Sequence, residues 1–296
     1  MALTFNNIGL TQICQQNGTV PEGPIWSIKE QCLYWPDIVE RTISRYCPAE
    51  GLIEQQTLDF EFSALAVNEN NQLLVVGNCQ LHVFNFAENH CTALTDKYNI
   101  GEANRFNDAK VDSYGRFWIG SLRKGLAEAT GKIFSIDENL KIETHDRDYI
   151  ASNGLGWSPD NQYFYMIETV SQQLFRYDFC QVSGKISNKT PFVDFNDQLG
   201  KPDGMCVDSE GNLWIAMWDG WGVLCYSNTG QLLGKVEVPM QKATCVTFGG
   251  ENLSTLFITT ANFGLTAQEK LEMPWAGSVL SCQPGVNGIA TNIFKM

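Results

Sequence analysis

Residues 152–160 read SNGLGWSPD, an amide and two glycines followed by a tryptophan and a Ser-Pro-Asp turn signal. Short apolar stretches that end in such a turn are typical of β-strands. Related stretches recur along the chain as EGPIWS, SALAVN, NDAKVD, NGLGWS, DGMCVD and TCVTFG. Their first residues are separated by 41, 44, 46, 50 and 41 positions. A period of about 40–50 residues is typical of the blades of a β-propeller.

Each repeat continues with further strand-like segments. A turn is followed by an apolar stretch such as QCLYW, RFWIGS or NLWIAM, and then by another such as TISRYC, KIFSID or GVLCYS. Helical periodicity is nearly absent, and LTAQEKLEM predicts one or two helical turns. The Gly-His and Trp-Asp signatures of WD blades do not recur from repeat to repeat. The pattern therefore predicts an all-β, six-bladed β-propeller that forms one domain over residues 1–296.

The composition limits the class of partner. A net charge of −13 and a pI near 4.6 disfavour binding to nucleic acid or to an anionic membrane. No basic, apolar leader and no run of about 18 apolar residues is found, so we expect neither a secretory signal nor a membrane span. The ten cysteines form no CxxC pair, which predicts reduced, buried thiols in a cytoplasmic protein.

One position of the repeat carries a side-chain oxygen in all six units. Since the first strand of each blade lines the channel of a propeller, these side chains are predicted to face one axis. Carboxylate, amide and hydroxyl oxygens suit a hard divalent cation, which would also relieve repulsion between the two carboxylates. A solvated channel mouth is the alternative. The six residues are Glu22, Ser63, Asn107, Asn153, Asp203 and Thr244.

Other chemistries find little support. The sequence has no G-x-S-x-G elbow, no P-loop and no HExxH pair, and its three histidines lie outside the repeated position. If the site is catalytic, a carboxylate must therefore move the proton. Trp218 and Trp221, in AMWDGWG, either stack on a sugar or pack between blades. The remaining tryptophans of interest lie in strand patterns and are predicted core residues: Trp26, Trp157 and Trp214.

Several long motifs, in order, carry a resemblance to a known family. They include PEGPIW, RFNDAKVDSYGRFWIGS, SNGLGWSPD, PDGMCVDSEGNLWIA and FGGENLSTLFITTA. From about Val20 to about Val286 the chain resembles the senescence marker protein / gluconolactonase / luciferin-regenerating enzyme family. The resemblance implies a six-bladed propeller with one divalent metal in its channel and hydrolysis of the lactone of a sugar acid.

The resemblance also implies roles for individual residues. The metal ligands would be Glu22, Asn153 and Asp203, and Asp203 would act as acid and base on a lactone whose carbonyl the metal polarises. Arg105 and Asn107 would contact the substrate; a surface ion pair is the alternative for Arg105. Oxygen ligands can bind calcium, magnesium, manganese, zinc or ferrous iron, so the sequence does not determine the identity of the metal.

One loop departs from the family pattern. Residues 121–125 read SLRKG, without the glutamate with which relatives bind substrate. Substrate preference is therefore open, while a monomer acting on a small sugar lactone, as a gluconolactonase- or pentonolactonase-like enzyme, is expected. Two other readings remain: a calcium-binding or interaction propeller without activity, and a metal-dependent hydrolase of aryl or phosphate esters.

Overall fold

The computed structural model describes residues 3–5, 8–14 and 17–296. Nearly all regular structure in these residues is β-strand, with one short helix in the loop that precedes the last strand. Among the described residues, no helix is long and apolar enough to cross a bilayer.

The elements follow in chain order. The first half contains β1 Leu3–Thr4, β2 Thr11–Cys14, β3 Ile25–Ser27, β4 Cys32–Asp37, β5 Thr42–Cys47, β6 Leu52–Thr57, β7 Phe62–Val67, β8 Leu73–Gly77, β9 Gln80–Asn85, β10 His90–Ala93, β11 Asn104–Val111, β12 Phe117–Arg123, β13 Gly131–Ile136 and β14 Ile142–Tyr149. The second half contains β15 Ser152–Trp157, β16 Tyr163–Glu168, β17 Gln173–Cys180, β18 Lys185–Asp194, β19 Lys201–Val207, β20 Leu213–Trp218, β21 Gly222–Tyr226, β22 Leu232–Glu237, β23 Ala243–Gly249, β24 Thr255–Thr260, α1 Ala267–Glu272 and β25 Val279–Cys282.

The strands form six blades, antiparallel except that β1 pairs in parallel with β22 at the edge of one blade, which confirms the predicted propeller. Blades 1 to 5 are β3–β6, β7–β10, β11–β14, β15–β18 and β19–β22. Blade 6 is β23–β25 completed by β2, so a strand from the start of the chain closes the circle. The innermost strands β3, β7, β11, β15, β19 and β23 each contact the next, and β23 contacts β3. A closed ring of first strands therefore surrounds the channel.

A repeated aspartate fixes the turn between the first two strands of blades 3 and 5. Asp112 Oδ1 accepts hydrogen bonds from the backbone N–H groups of residues 114 and 116, and its Oδ2 accepts from Trp118 Nε1 at 2.9 Å. Asp208 makes the same contacts to residues 210 and 212 and to Trp214 Nε1. Both aspartates are fully buried. The recurring VDS-x-G motif is thus a turn that is hydrogen-bonded to the core.

The core lies between neighbouring blades, as the alternating apolar patterns predict. Trp26, Trp157 and Trp214 are buried, which confirms their predicted role. The last residues cross the end of the propeller opposite the repeated polar position. Phe294 is fully buried there, and its N–H donates to the Val67 carbonyl oxygen at 2.8 Å. The chain end therefore covers the far mouth of the channel.

The cysteines correct one prediction. Cys32 and Cys47 form a disulfide across β4 and β5, where Leu33 lies opposite Tyr46 in the register. The expectation that the cysteines are all reduced is therefore wrong for this pair. The two residues lie 15 apart in sequence, and only the strand register brings their Cα atoms within 4.4 Å. Seven other cysteines have free thiols.

Candidate active site

A β-bulge interrupts each innermost strand from β7 to β23 at the repeated polar position. Such bulges re-aim side chains and are common beside functional sites. Glu22, which precedes β3, is held differently: its N–H donates to the Pro36 carbonyl oxygen at 2.9 Å. All six repeat residues therefore lie at the same end of the channel. The register shifts fall between Phe62 and Ala64, Phe106 and Ala109, Ser152 and Leu155, Pro202 and Met205, and Ala243 and Cys245.

Two of these bulges need glycine because neighbouring inner strands come close. A Cβ at Gly154 would lie 2.7 Å from the Asp203 carbonyl oxygen, and one at Gly204 would lie 2.3 Å from Cys245 Sγ. In β11 the corresponding second residue of the bulge is Asp108, which is buried. The bulge thus brings a further carboxylate to the channel.

Three buried carboxyl groups lie close enough for charge effects between them: Asp108 acts on Glu22 and Asp203, and Glu22 acts on Asp203. Burial, followed by the charge on Asp108, raises the pKa of Glu22 to about 8. Burial, and then the charges on Glu22 and Asp108, raise the pKa of Asp203 well above its usual range. Burial also raises the pKa of Asp108, whose Oδ2 is buried without a hydrogen-bond partner among the described residues. Burial and like charge therefore disfavour the ionised forms of these carboxyls, and a cation bound between them would favour those forms.

Asp108 was missed by the sequence analysis. In a regular strand its side chain would point away from that of Asn107, because successive residues face opposite sides. The bulge removes this alternation locally. The available signal was an acidic residue directly after Asn107 in RFND, at a place where blades 4 and 5 carry glycine.

Asn153 lies directly beside Asp203. Its Nδ2 donates to Asp203 Oδ1 and, at 3.2 Å, to Thr169 Oγ1. Thr169 in turn donates to the Pro202 carbonyl oxygen at 2.8 Å, which fixes this side of the site. The structure therefore brings together the three predicted ligand residues, Glu22, Asn153 and Asp203.

The donor set of the site suits a hard divalent cation. Within residues 3–5, 8–14 and 17–296, no group of three or more His, Cys, Asp or Glu side chains is arranged to hold a metal ion. The predicted ligand set is of a different kind, because it combines two carboxylates with the amide of Asn153. Two buried oxygen atoms, Asp108 Oδ2 and Ser63 Oγ, have no hydrogen-bond partner in the described chain. Such atoms normally have a partner, and a bound cation could serve as one. Oxygen donors with excess negative charge are what calcium and magnesium prefer.

Arg105 and Asn107 form a hydrogen-bonded pair at the edge of the channel. Arg105 Nη1 donates to Asn107 Oδ1 at 2.9 Å and to the Phe106 carbonyl oxygen at 3.0 Å. Asn107 Nδ2 donates to the Ser152 carbonyl oxygen at 2.9 Å. Burial lowers the pKa of Arg105, and the charge on Glu22 acts in the opposite direction. Arg105 is thus an oriented, partly buried cation rather than half of a surface ion pair.

Thr244 differs from the other repeat positions. It is fully buried, and its Oγ1 donates to the Pro21 carbonyl oxygen at 2.6 Å and lies 2.8 Å from Thr259 Oγ1. Its hydroxyl therefore ties blade 6 to the residue before Glu22. The interpretation of six equivalent oxygens around the axis is wrong at this position, because local hydrogen bonds already use the Thr244 oxygen.

Lys110 lies near the carboxyl groups, towards the inner part of the channel. It extends from β11, and its Nζ donates to the Met205 carbonyl oxygen on β19. The Lys110 charge partly offsets the effect of burial on the pKa of Asp108. Beyond it lies a chamber of about 160 Å³, lined by Trp157, Phe248 and the chain-end residues 289–292. Lys110 therefore contacts both sections of the channel.

The channel rim carries the two tryptophans and the loop that departs from the family pattern. Trp218 packs against Phe263, with ring centroids 6.4 Å apart, and Lys242 Nζ lies 5.4 Å from its ring centre. Trp221 is 38% exposed. Sugar stacking on either ring stays a prediction. In the loop, Lys124 Nζ donates to Glu61 Oε2 at 2.9 Å.

Known proteins share the sequence motifs that form this site. The sequence model described as "SMP-30/Gluconolactonase/LRE-like region" matches residues 20–262. The chain belongs to this family. The match covers every inner strand from β3 to β23, including the bulges that hold the candidate ligands. The resemblance inferred from the motifs is confirmed.

Members of the SMP-30/gluconolactonase/LRE-like family align with nearly the whole chain. A 6-deoxy-6-sulfogluconolactonase from Pseudomonas putida is 31% identical, covering 97% of this chain and 99% of its own. Human regucalcin is 29% identical, with 97% and 98% covered. A solved luciferin-regenerating enzyme superposes with a TM-score of 0.90 at 27% identity, covering 97% of this chain and 99% of that one.

Proposed function

We propose that this protein is a metal-dependent hydrolase that opens the lactone ring of a sugar acid. The observation that carries the proposal is the convergence of Glu22, Asp108 and Asp203 beside the oriented cation Arg105. Burial raises the pKa of all three carboxyls, the charge on Asp108 further raises those of Glu22 and Asp203, and the charge on Glu22 further raises that of Asp203. Strongly perturbed carboxylates gathered in a channel mark a candidate functional site.

Glu22, Asn153 and Asp203 would hold one divalent cation, which when bound would polarise the lactone carbonyl and acidify a water molecule. Asp108 lies close enough to Glu22 and Asp203 to raise the pKa of both, so it would strengthen the attraction of the site for a cation. The identity of the metal among calcium, magnesium, manganese, zinc and ferrous iron is a matter for experiment.

Asp203 would perform the proton transfers. As a carboxylate it would accept a proton from the attacking water while the water oxygen bonds to the carbonyl carbon. It would then return that proton to the ring oxygen as the carbon–oxygen bond of the lactone breaks, giving a hydroxy acid. Arg105 would hold the substrate in place, and Asn107 would keep the guanidinium oriented through the 2.9 Å hydrogen bond.

The relatives support this substrate class. The Pseudomonas putida relative is named for a gluconolactone derivative, and the family model is named for gluconolactonase. In a six-bladed propeller of this family, a sugar lactone would approach the open end of the channel, where Arg105 and the carboxylates lie.

A lactone panel tests the proposal. Protein loaded with each divalent metal is assayed with glucono-, galactono-, xylono- and arabinono-lactones, alongside Asp203→Asn. We expect hydrolysis of at least one lactone and a loss of about 100-fold or more in kcat for the variant, since a general acid-base group contributes about 10²–10⁴-fold.

Asp178→Asn is the matched control, because Asp178 is exposed on β17 away from the channel. It should retain the full rate. Tight metal binding without hydrolysis of any lactone would refute the lactonase and leave an ion-binding propeller. Hydrolysis of aryl or phosphate esters, but of no lactone, would indicate instead that the protein is a metal-dependent hydrolase of those esters.

A further inference from the structure

A side cleft of about 240 Å³ opens beside the candidate active site. Ser63 and Arg105, which belong to the channel site, also line this cleft, so the cleft adjoins the site. The rest of the wall includes Glu61 and Lys97, from the loops that join blade 1 to blade 2 and blade 2 to blade 3, and Lys124, from the connection between β12 and β13 within blade 3. A ligand whose reacting group lies at the carboxylates could therefore extend into the cleft.

The cleft is positively charged in a strongly acidic protein. Lys97, Arg105 and Lys124 face a single lining carboxylate, Glu61. The hydrogen bond and charge of Lys124, with smaller effects of Arg105 and Arg41, lower the pKa of Glu61. The chain as a whole carries a net charge of −13. This local excess of cations favours an anionic ligand at this part of the surface.

The Lys124 ammonium and the Arg105 guanidinium can donate hydrogen bonds to a ligand in the cleft. The side chains of Lys124 and Glu61 are 56% and 70% exposed, and pairs this exposed are weak and screened by solvent. Both hydrogen bonds that Arg105 makes within the described chain leave from Nη1, so its Nε and Nη2 can donate to a ligand. An ammonium and a guanidinium edge together recognise a carboxylate, sulfonate or phosphate.

We propose that the lactone bound by this protein carries a second, anionic group, which lies in the side cleft against Lys97, Lys124 and the free edge of Arg105. The inference rests on the proposed lactonase function and specifies its substrate class. A neutral sugar would leave the excess positive charge of the cleft without a partner. An acidic substituent at the end of the sugar remote from the lactone carbonyl would balance it.

Matched lactones test the inference. D-glucaro-1,4-lactone, which carries a terminal carboxylate, is compared with neutral D-glucono-1,4-lactone, and 6-sulfo and 6-phospho analogues rank the anionic groups. We expect a higher kcat/KM for the anionic lactones. The ratio of anionic to neutral kcat/KM should fall about tenfold in Lys124→Gln and in Lys97→Gln, the effect of one charge-assisted hydrogen bond. The preference should also weaken at high salt.

Lys141→Gln is the control, because it makes the same charge change at an exposed position in the turn between β13 and β14. It should leave the ratio unchanged. Equal kcat/KM values for anionic and neutral lactones would overturn the inference while leaving the lactonase intact. If neither lactone is hydrolysed, calorimetry with the wild-type protein decides: binding of the anionic lactone alone, lost in Lys124→Gln, supports the cleft, and equal or absent binding refutes it.

Discussion

Glu22 and Asp203 approach the channel from blades 1 and 5, and the charge on Glu22 raises the pKa of Asp203. Neither carboxylate lies in a regular stretch of strand: Glu22 precedes β3, and Asp203 occupies a bulge of β19. The fold thus holds two carboxyl groups so close that the charge on one disfavours ionisation of the other. A bound cation would convert this repulsion into attraction.

Metal binding should therefore release protons at neutral pH. Because the pKa of Glu22 is about 8 without metal, this carboxyl is largely protonated at pH 7 and must ionise to bind a cation. Calorimetric titration in two buffers of different ionisation enthalpy measures the number of protons released. That number should fall at pH 9 and in Glu22→Gln. An enthalpy of binding that is independent of the buffer at pH 7 would contradict the account.

The same shift predicts how the metal-free protein responds to pH. A carboxyl whose pKa is raised on folding binds more protons in the folded state, so its contribution to stability declines as pH rises from about 4.5 towards 8. We expect the Tm of metal-free protein to decrease over this range and saturating metal to reduce the decrease. Differential scanning calorimetry across the pH series, with Glu22→Gln as the comparison, measures the effect.

Asp108→Asn should weaken metal binding without removing a proposed ligand. Outer groups of metal sites typically contribute about 10- to 100-fold to affinity, and Asp108 lies close enough to raise the pKa of Glu22. The same change should bring the pKa of Glu22 closer to its ordinary value. Metal titration gives the affinity, with Asp178→Asn as the control. An affinity unchanged in Asp108→Asn would show that Asp108 has no role at the metal.

Gly204→Ala should destabilise the protein by about 1–3 kcal/mol, the usual range for overpacking. The new Cβ would lie 2.3 Å from Cys245 Sγ and 2.9 Å from its Cα, so β19 and β23 would have to separate. Gly156→Ala is the matched control, because its Cβ would meet Val207 Cγ2 at a milder 3.0 Å. Urea unfolding compares the two variants. Equal effects would argue against close approach as the reason for glycine at 204.

His145 should make the protein sensitive to acid. Burial lowers the pKa of His145 to about 4, while its ring stacks on Trp118 and its Nε2 pairs with Ser135 Oγ at 2.7 Å. The unfolded state takes up a proton at higher pH than the folded state does, so stability is lost as pH falls from about 6.5 to 4. His145→Phe should flatten the dependence of unfolding free energy on pH in that range, whereas His90→Phe, at an exposed position, should not.

The strands and blades could be predicted because each depends on local pattern. VDS-x-G turns recur with their hydrogen-bonded aspartates, and the six inner stretches recur at intervals of 41 to 50 residues. The site was harder to predict. Asp108 faces the channel only because a bulge breaks the alternation of side chains along β11. The Thr244 hydroxyl donates its hydrogen bond to the carbonyl oxygen of Pro21, which precedes the first strand of another blade. Such contacts depend on register and on neighbouring blades, which one sequence does not specify.

The disulfide shows the same limit. Cys32 and Cys47 face each other because β4 and β5 pair with Leu33 opposite Tyr46. Spacing alone gave no reason to choose this pair among ten cysteines.

Removing a single ion tests the central claim most directly. The protein is stripped with chelator, assayed with the best lactone of the panel, and assayed again after one divalent metal is restored. The account predicts that turnover is lost on stripping and recovers on addition of metal, in proportion to the occupied sites. Full lactone turnover by stripped protein, with metal content verified as absent, would contradict a metal-dependent lactonase.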